Sequence, residues 1–138
     1  MLFRSAHGIP YVATASPAFP LDLHDKVKIA KDMKGSRYIE VLAPCPPGWG
    51  FPNKDLIKLG KLAVDAAVHV LFEIRDGKFR LTSRSLSVAE KGKKKTVADY
   101  VKGQTRFKKI SEDQIQRLQE WTDSRWEEFL QRHTKDNR

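Results

Sequence analysis

The segment Arg37–Pro52 restricts the possible folds of this chain more than any other stretch. Its first half, Tyr38–Leu42, is aromatic, β-branched or aliphatic and too short for an ordinary helix, which predicts a buried strand. Three prolines follow, each of which fixes φ and removes an amide donor: Pro44, Pro46 and Pro47. The strand therefore cannot continue, and Gly48 and Gly50 give the chain the φ freedom to bend back. The sequence predicts that Cys45, its only cysteine, lies on a stiff loop at the end of this strand.

Two elements that precede this segment predict a βαβ unit. Residues Ile9–Ala15 form a short apolar run, and a helix is expected from Pro20, which suits the first helical position. The apolar face of this helix is predicted to contain Leu23, Val27, Ala30 and Met33. Its lysines are predicted on the other faces: Lys26, Lys28, Lys31 and Lys34. Strand, helix and strand joined by short connections favour a parallel pair of strands covered by helices.

The next stretch predicts a helix followed by a hairpin. Asn53 is a candidate N-cap for a helix whose apolar residues extend to Val68. Residues Val70–Thr82 alternate apolar and polar side chains around Asp76-Gly77, which is the sequence signature of a type I′ turn. The sequence therefore predicts two antiparallel strands joined by a two-residue turn.

The last third of the chain combines a basic stretch with two capped helices. Residues 83–95, which include the run Lys91–Lys95, are predicted to form a polar, solvated and mobile linker. Thr96 can cap a short helix, and Ser111 begins a capping-box sequence that precedes a longer one. Apolar residues follow at helical spacing: Ile115, Leu118, Thr122, Trp126, Phe129 and Leu130. The pattern predicts an α/β fold with a parallel βαβ core, a β-hairpin and a C-terminal helix.

The composition restricts the class of protein further. The chain has 26 Lys and Arg against 17 Asp and Glu, a net charge of +9, so its surface is expected to attract acidic partners. A single cysteine excludes an internal disulfide framework and suits a reducing compartment. The sequence has neither an apolar run of roughly 18 residues, as a spanning helix needs, nor a signal peptide. We therefore expect a cytoplasmic protein with no membrane partner.

Cys45 is the strongest candidate for chemistry, and two interpretations of it remain open. A free cysteine is most often a small buried hydrophobe. Alternatively, Cys-Pro is the context in which the cluster-binding motif of bacterial ferredoxins ends. Because one thiolate cannot hold an iron–sulfur cluster or a structural zinc, which need about four ligands, the other ligands would come from elsewhere.

Other candidate residues carry weaker signals. The histidines have no metal-ligand spacing and are predicted to be structural or exposed: His7, His24, His69 and His133. Four acidic residues have no evident partner for acid–base catalysis: Asp22, Asp25, Asp32 and Glu40. The sequence contains no nucleophile elbow, Walker loop or dinucleotide-binding motif. No catalytic residue is therefore assigned within this chain.

Four segments together carry a family resemblance. They are residues 7–17 (HGIPYVATASP), residues 38–51 (YIEVLAPCPPGWGF), residues 71–82 (LFEIRDGKFRLT) and residues 97–107 (VADYVKGQTRF). They closely resemble the C-terminal part of the β subunit of pyruvate synthase, the pyruvate:ferredoxin oxidoreductase of the 2-oxoacid:ferredoxin oxidoreductase family. The string around Cys45 is the most specific of them, and the resemblance covers most of the chain.

The resemblance implies a fold, a reaction and a set of cofactors. Residues 1–82 would be the C-terminal portion of a thiamine-diphosphate-binding domain with the hairpin, residues 83–95 a basic linker, and residues 96–138 a helical extension. Such β subunits carry thiamine diphosphate, Mg²⁺ and a [4Fe–4S] cluster, and convert pyruvate and coenzyme A to acetyl-CoA while electrons pass to ferredoxin. The resemblance implies that Cys45 is the fourth ligand of that cluster.

The same resemblance also implies what this chain lacks. The family's other cysteines and its Gly-Asp-Gly…Asn sequence for Mg²⁺ and diphosphate do not occur in the 138 residues. Residues 2–7, followed by Gly8, resemble the last turn of a helix, so we expect a preceding segment that is either a separate chain or lost by truncation. We therefore expect the chain to be inactive alone and to assemble with other oxidoreductase subunits.

A different class of function remains as an alternative. The chain could be a small basic binding module for nucleic acid or an acidic protein, in which Cys45 is inert. The lysine run has no interleaved aromatic residues, which disfavours nucleic acid. Replacement of Cys45 by alanine distinguishes the two hypotheses, because only the first predicts the loss of a cluster.

Overall fold

The protein contains a central four-stranded mixed sheet. The computed structural model describes residues 8–138. The strands of the sheet are β1 (Tyr11–Ala15), β2 (Arg37–Val41), β3 (Phe72–Arg75) and β4 (Lys78–Leu81), in the spatial order β2-β1-β3-β4. Strands β1 and β2 are parallel and are joined by helix α1 (Pro20–Asp32), with Pro20 in its first turn. The predicted α/β class and parallel βαβ core are confirmed. The predicted helical turn at residues 2–7 lies outside the described residues.

The hairpin belongs to the same sheet as the βαβ unit. Strand β3 pairs with β1 in antiparallel orientation, and β4 extends the sheet beyond it. Asp76 and Gly77 both have positive φ, 49° and 81°, as a type I′ turn requires. The predicted hairpin and its turn are confirmed.

The prediction that β2 is buried is wrong. The side chains of β2 are exposed or half-buried, and Val41 is 45% exposed, whereas all five residues of β1 are buried. Strand β2 lies at the end of the sheet, with β1 as its hydrogen-bonded neighbour. The apolar residues of β2 therefore favour a β-strand, but the position of that strand in the sheet determines how far its side chains are buried.

The predicted apolar face of α1 is also wrong at two positions. Val27 is 52% exposed, and Lys26, predicted on a solvent face, is only 2% exposed. The ammonium group of Lys26 is buried because three acceptors surround it, among them the side chain of Asp22. The rest of the face agrees with the prediction, since Ala30 is buried and Met33 packs beside it.

Two short helices follow β2. Helix α2 (Pro46–Trp49) is a single turn, and a 3₁₀ turn (Asn53–Asp55) leads into α3 (Leu56–Asp65). The predicted N-cap at Asn53 is wrong, because Asp55 precedes α3 and the 3₁₀ turn makes the transition. The predicted extension of the helix to Val68 is also wrong.

The predicted linker contains a helix. Residues Ser83–Lys91 form α4, which ends at Gly92 with φ 61°, so the prediction of a solvated and mobile linker is wrong for most of residues 83–95. Val88 of α4 is buried in the main core. Ser85 is buried too, and its hydroxyl accepts a hydrogen bond of 2.8 Å from the amide of Leu71. The Ser85 side chain therefore satisfies a backbone amide inside the fold.

The last two helices begin as their sequences predict. Helices α5 (Val97–Val101) and α6 (Glu112–Asp136) each start with a capping box, from Thr96 and Ser111 respectively. Helix α6 packs on β4 and completes the main core, whose largest members include Phe72, Phe79, Trp126 and Phe129. No helix in the described part of the chain is long and apolar enough to cross a membrane.

Candidate functional site

Cys45 lies between β2 and α2, and its thiol is exposed. This exposure excludes the interpretation of Cys45 as a buried hydrophobe. A Cβ placed on Gly48 would lie 3.2 Å from the sulfur atom, so the missing side chain at position 48 leaves room beside the thiol. Gly48 therefore contributes space, whereas the predicted φ freedom is used at Gly50, where φ is 69°.

The proline-rich loop is an ordered turn. The amide of Trp49 donates to the carbonyl oxygen of Cys45 at 2.9 Å, and the amide of Gly50 donates to that of Pro46 at 2.9 Å. The amide of Phe51 donates to the same Pro46 oxygen at 3.2 Å. Cys45 has extended backbone angles (φ −110°, ψ 102°) and marks the change from strand to helical turn.

The parallel strands bring a second loop to the Cys45 loop. The amide of Leu42 donates to the carbonyl oxygen of Ala15 at 2.9 Å, so β1 and β2 end at the same edge of the sheet. Helix α3 crosses close to this edge, because a Cβ on Gly60 would lie 2.7 Å from the Cβ of Ala18 and 3.6 Å from Pro44. Ligand sites of open α/β sheets commonly lie outside the carboxyl ends of their strands.

A distant segment holds the far end of the Cys45 loop. The amide and the hydroxyl of Thr105 both donate to the carbonyl oxygen of Gly50, at 2.9 and 2.8 Å. The guanidinium carbon of Arg106 lies 3.8 Å from the centre of the Trp49 ring. We name Thr105 and Arg106, with Tyr100 and Gln104 behind them, the 105 clasp. This cluster was not predicted from the sequence, because its only local signal is one arginine next to a phenylalanine.

The two supporting residues of the clasp are buried. Arg106 donates to the Tyr100 hydroxyl at 2.8 Å and to the side-chain oxygen of Gln104 at 3.0 Å. Gln104 in turn donates to the carbonyl oxygen of Tyr100. Burial raises the pKa of Tyr100 despite the opposing effect of Arg106, so the phenol is neutral and accepts the guanidinium hydrogen bond.

The described residues contain one thiol, that of Cys45. Within residues 8–138, no group of three or more His, Cys, Asp and Glu could hold a metal ion. The exposed sulfur of Cys45, with open space beside it, fits as one ligand of a group whose other ligands come from outside these residues.

Two buried ionic groups lie away from Cys45, on the other side of β1. The Lys26 ammonium donates to the Asp22 carboxylate at 2.6 Å, and burial lowers the pKa of Lys26. Glu73 is 2% exposed and accepts from the Tyr11 hydroxyl at 2.8 Å and from Arg80 at 2.6 Å. Burial, followed by the bond to Glu73, raises the pKa of Tyr11. Asp22 thus has a partner that its sequence context did not indicate, and the pair anchors α1 to the sheet.

The histidines of the described chain are structural or exposed, as predicted. His24 is exposed, and the His133 side chain accepts from the amide of Leu81 at 3.3 Å. His69 is buried, and its Nε2 donates to the carbonyl oxygen of Ala15 at 3.0 Å. His7 lies outside the described residues.

We expect His69 to make the stability of the fold depend on pH. Burial lowers its pKa below the ordinary 6.5, against smaller raising effects of the Ala15 hydrogen bond and Glu40, and Lys26 lowers it further. Below pH 6.5 the unfolded chain therefore binds a proton before the folded chain does, and the free energy of unfolding falls. Urea unfolding at pH 7.5 and 5.5 should show this loss in the parent chain and a smaller one in His69→Gln. The exposed His24→Gln is the control, and an equal loss in all three chains would contradict the assignment.

These features define a class: an α/β protein that presents one exposed thiol beyond a parallel pair of strands. No protein-family model matches the chain. It is 42% identical over 123 residues to pyruvate synthase subunit PorB of Methanothermobacter marburgensis and 40% identical over 124 residues to that of Methanocaldococcus jannaschii. It is 38% identical over 122 residues to ketoisovalerate oxidoreductase subunit VorB of Pyrococcus furiosus.

The matches cover most of this chain and a minor part of each relative. They include 89%, 90% and 88% of the chain, respectively, and 41%, 40% and 38% of the three relatives. The chain thus spans about two fifths of the length of the curated relatives it matches. It belongs to the family of 2-oxoacid:ferredoxin oxidoreductase β subunits and corresponds to a part of such a subunit.

Proposed function

We propose that this chain is a working part of a 2-oxoacid:ferredoxin oxidoreductase β subunit and that Cys45 is one ligand of its [4Fe–4S] cluster. The observation that carries the proposal is the exposed Cys45 thiol on an ordered turn, with no side chain at Gly48 beside the sulfur. The relatives named for pyruvate synthase and ketoisovalerate oxidoreductase support the reaction class. The substrate would be a 2-oxoacid, and we favour pyruvate, converted with coenzyme A to acetyl-CoA.

The proposal divides the cofactors between this chain and its partners. When bound, the cluster would carry single electrons, and Cys45 would supply one of its four ligands. The other ligands would come from outside these 138 residues, since the chain has no second cysteine. The groups that bind thiamine diphosphate and Mg²⁺ would also come from outside, since the chain has no Gly-Asp-Gly sequence. The chain would therefore be inactive alone and active in a hetero-oligomer with other oxidoreductase subunits.

The basic surface of the chain supports an acidic redox partner. Lys28, Lys31 and Lys34 on or next to α1 are all exposed, and the net charge is +9. Complementary charge increases the rate of encounter, so we propose that this face assists the docking of an acidic ferredoxin. The alternative of a nucleic-acid module has less support, because Lys94 and Lys95 form ion pairs with Asp123 and Asp65.

Replacement of Cys45 by alanine tests the proposed function. The affinity-tagged chain, purified without oxygen from its native host, should co-purify with larger subunits and show a broad iron–sulfur absorbance near roughly 400 nm. Cys45→Ala should retain the subunits, because the thiol is exposed and packs in no core, and should lose most of that absorbance.

Ser36→Ala, at an exposed position before β2, is the matched control and should retain the spectrum. A chain that purifies alone and colourless would overturn the proposal. An unchanged spectrum in Cys45→Ala would remove Cys45 from the ligand set.

A further inference from the structure

We propose that Thr105 and Arg106 are positioning residues for the Cys45 sulfur. In this inference the 105 clasp fixes the turn Pro46–Trp49, so that the thiol projects in one direction before any ligand binds. The inference rests on the proposed function of Cys45 as a cluster ligand, and it assigns a role to a segment that follows Cys45 by some 60 residues in the printed sequence.

The prolines restrict φ within the turn that carries Cys45, but they do not fix the position of the turn against the rest of the fold. Helix α2 has four residues, far fewer than the roughly 12 to 15 at which isolated helices become even marginally stable in water. Its residues are half-buried or exposed, so little apolar burial holds it in place. The turn therefore needs contacts from outside itself.

Thr105 supplies the first of these contacts, at the end of the turn. Gly50, the residue that ends α2, has a carbonyl oxygen that accepts two hydrogen bonds from Thr105, one from the amide and one from the hydroxyl. The approach is close enough that a Cβ on Gly50 would lie 2.5 Å from the Thr105 Cβ. The left-handed φ of Gly50 and this close approach both require glycine, which fixes where the turn stops.

Arg106 supplies the second contact, on the side chain of the turn's last residue. Its guanidinium lies over the Trp49 ring at 3.8 Å and over Phe107 at 4.6 Å. Hydrogen bonds to Tyr100 and Gln104 fix the plane of the guanidinium. The planar guanidinium can stack on an aromatic ring and donate hydrogen bonds from its edges at the same time, which a lysine ammonium cannot do.

The clasp is itself anchored in the fold. Tyr100 is 5% exposed and packs in a core cluster with Ala63 of α3 and Val97 of α5, and Gln104 is 3% exposed. Rigid support behind a ligand keeps it within the few tenths of an ångström that a metal group tolerates. The clasp thus links the Cys45 turn to the same helix, α3, that crosses the carboxyl ends of β1 and β2.

Amide hydrogen exchange, followed by NMR on the full 138-residue chain, tests the positioning role. The amides of Trp49, Gly50 and Phe51 report the turn directly, because their hydrogen bonds close it. Thr105→Val keeps the shape of the side chain and removes the hydrogen bond from its hydroxyl to the Gly50 oxygen. Arg106→Gln removes the charged group that stacks on Trp49. In the double variant these three amides should exchange roughly tenfold faster, the sum expected from one cation–π contact and one hydrogen bond.

A matched control separates this effect from general destabilisation. Arg117→Gln removes an arginine that is exposed on α6 and pairs with Asp113, and it should leave all three amides unchanged. The amides of β1 and β3 should exchange at parent rates in every variant. Parent rates at Trp49, Gly50 and Phe51 in the double variant would overturn the inference.

Cluster absorbance of the assembled oxidoreductase is the second measurement, and it distinguishes the positioning role from the ligand role of Cys45. With Cys45 intact, the clasp variants should lower cluster absorbance per chain at least severalfold, and Arg106→Lys should not restore it, because lysine keeps the charge without the stacked plane. Full absorbance in the clasp variants together with its loss in Cys45→Ala would overturn the positioning role alone. Full absorbance in Cys45→Ala would overturn the ligand assignment, while the exchange result would still decide whether the clasp orders the turn.

Discussion

Lys26→Met should destabilise the fold by about 3–5 kcal/mol, the cost of leaving one member of a buried ion pair without the other. Lys26 is 2% exposed, and the side chain of its partner Asp22 is 7% exposed. The lost ammonium also donates to the Thr14 carbonyl oxygen at 2.8 Å and to the Thr82 hydroxyl at 2.7 Å. Urea unfolding at pH 7.5, followed by circular dichroism, measures the change.

The double variant Asp22→Leu/Lys26→Met is the informative comparison. Replacement of both charges by apolar groups of similar size is often neutral or stabilising, so the double variant should regain most of the stability that the single variant loses. Lys28→Met, at an exposed position two residues further along α1, is the control and should stay within about 0.5 kcal/mol of the parent. A loss below about 1 kcal/mol in Lys26→Met would show that the pair is not buried as described.

Phe79→Ala should cause a loss of similar size, about 3–5 kcal/mol, for a different reason. Phe79 is fully buried on β4, and its ring centre lies 5.0 Å from that of Phe72 and 5.7 Å from that of Phe129. Phe129 belongs to α6, so the substitution leaves a cavity between the sheet and the last helix. Thermal and urea unfolding of the full chain would measure it.

The matched control for the aromatic core is Trp121→Ala. Trp121 is on the same helix as Phe129 but is 56% exposed, so its replacement should change the stability by about 0.5 kcal/mol or less. Equal effects of the two substitutions would contradict the packing of α6 against β4. Trp126 lies on the same helix and, unlike Trp121, is buried in the main core.

Features set by local chemistry were predictable from the sequence alone. The type I′ turn follows from Asp76-Gly77, because few other residues accept positive φ at both positions. The starts of α5 and α6 follow from Thr96 and Ser111, whose side chains bond amides three residues on. Cys45 was identified because the prolines around it end a strand, and that end is where the structure places an exposed thiol.

Features set by distant partners were not predictable in this way. The pattern of α1 placed Lys26 in solvent, since the acceptor that completes its burial, Thr82, is 56 residues away. The apolar run of β2 indicated burial, but the order of the strands puts it at the edge of the sheet. The polar residues 83–95 indicated a linker, but Ser85 bonds the amide of Leu71 and Val88 packs in the core.

The same distinction between local and distant causes applies to the candidate site. The cysteine, the end of its strand and the glycine that ends its turn were predictable from neighbouring residues, because each depends on their backbone preferences. The contacts that hold this turn were not predictable in that way, since Thr105 lies 55 residues from Gly50, whose carbonyl oxygen it binds. A sequence pattern records what each residue favours locally, whereas a buried charge or a stacked guanidinium is stable only when the fold brings its partners to it.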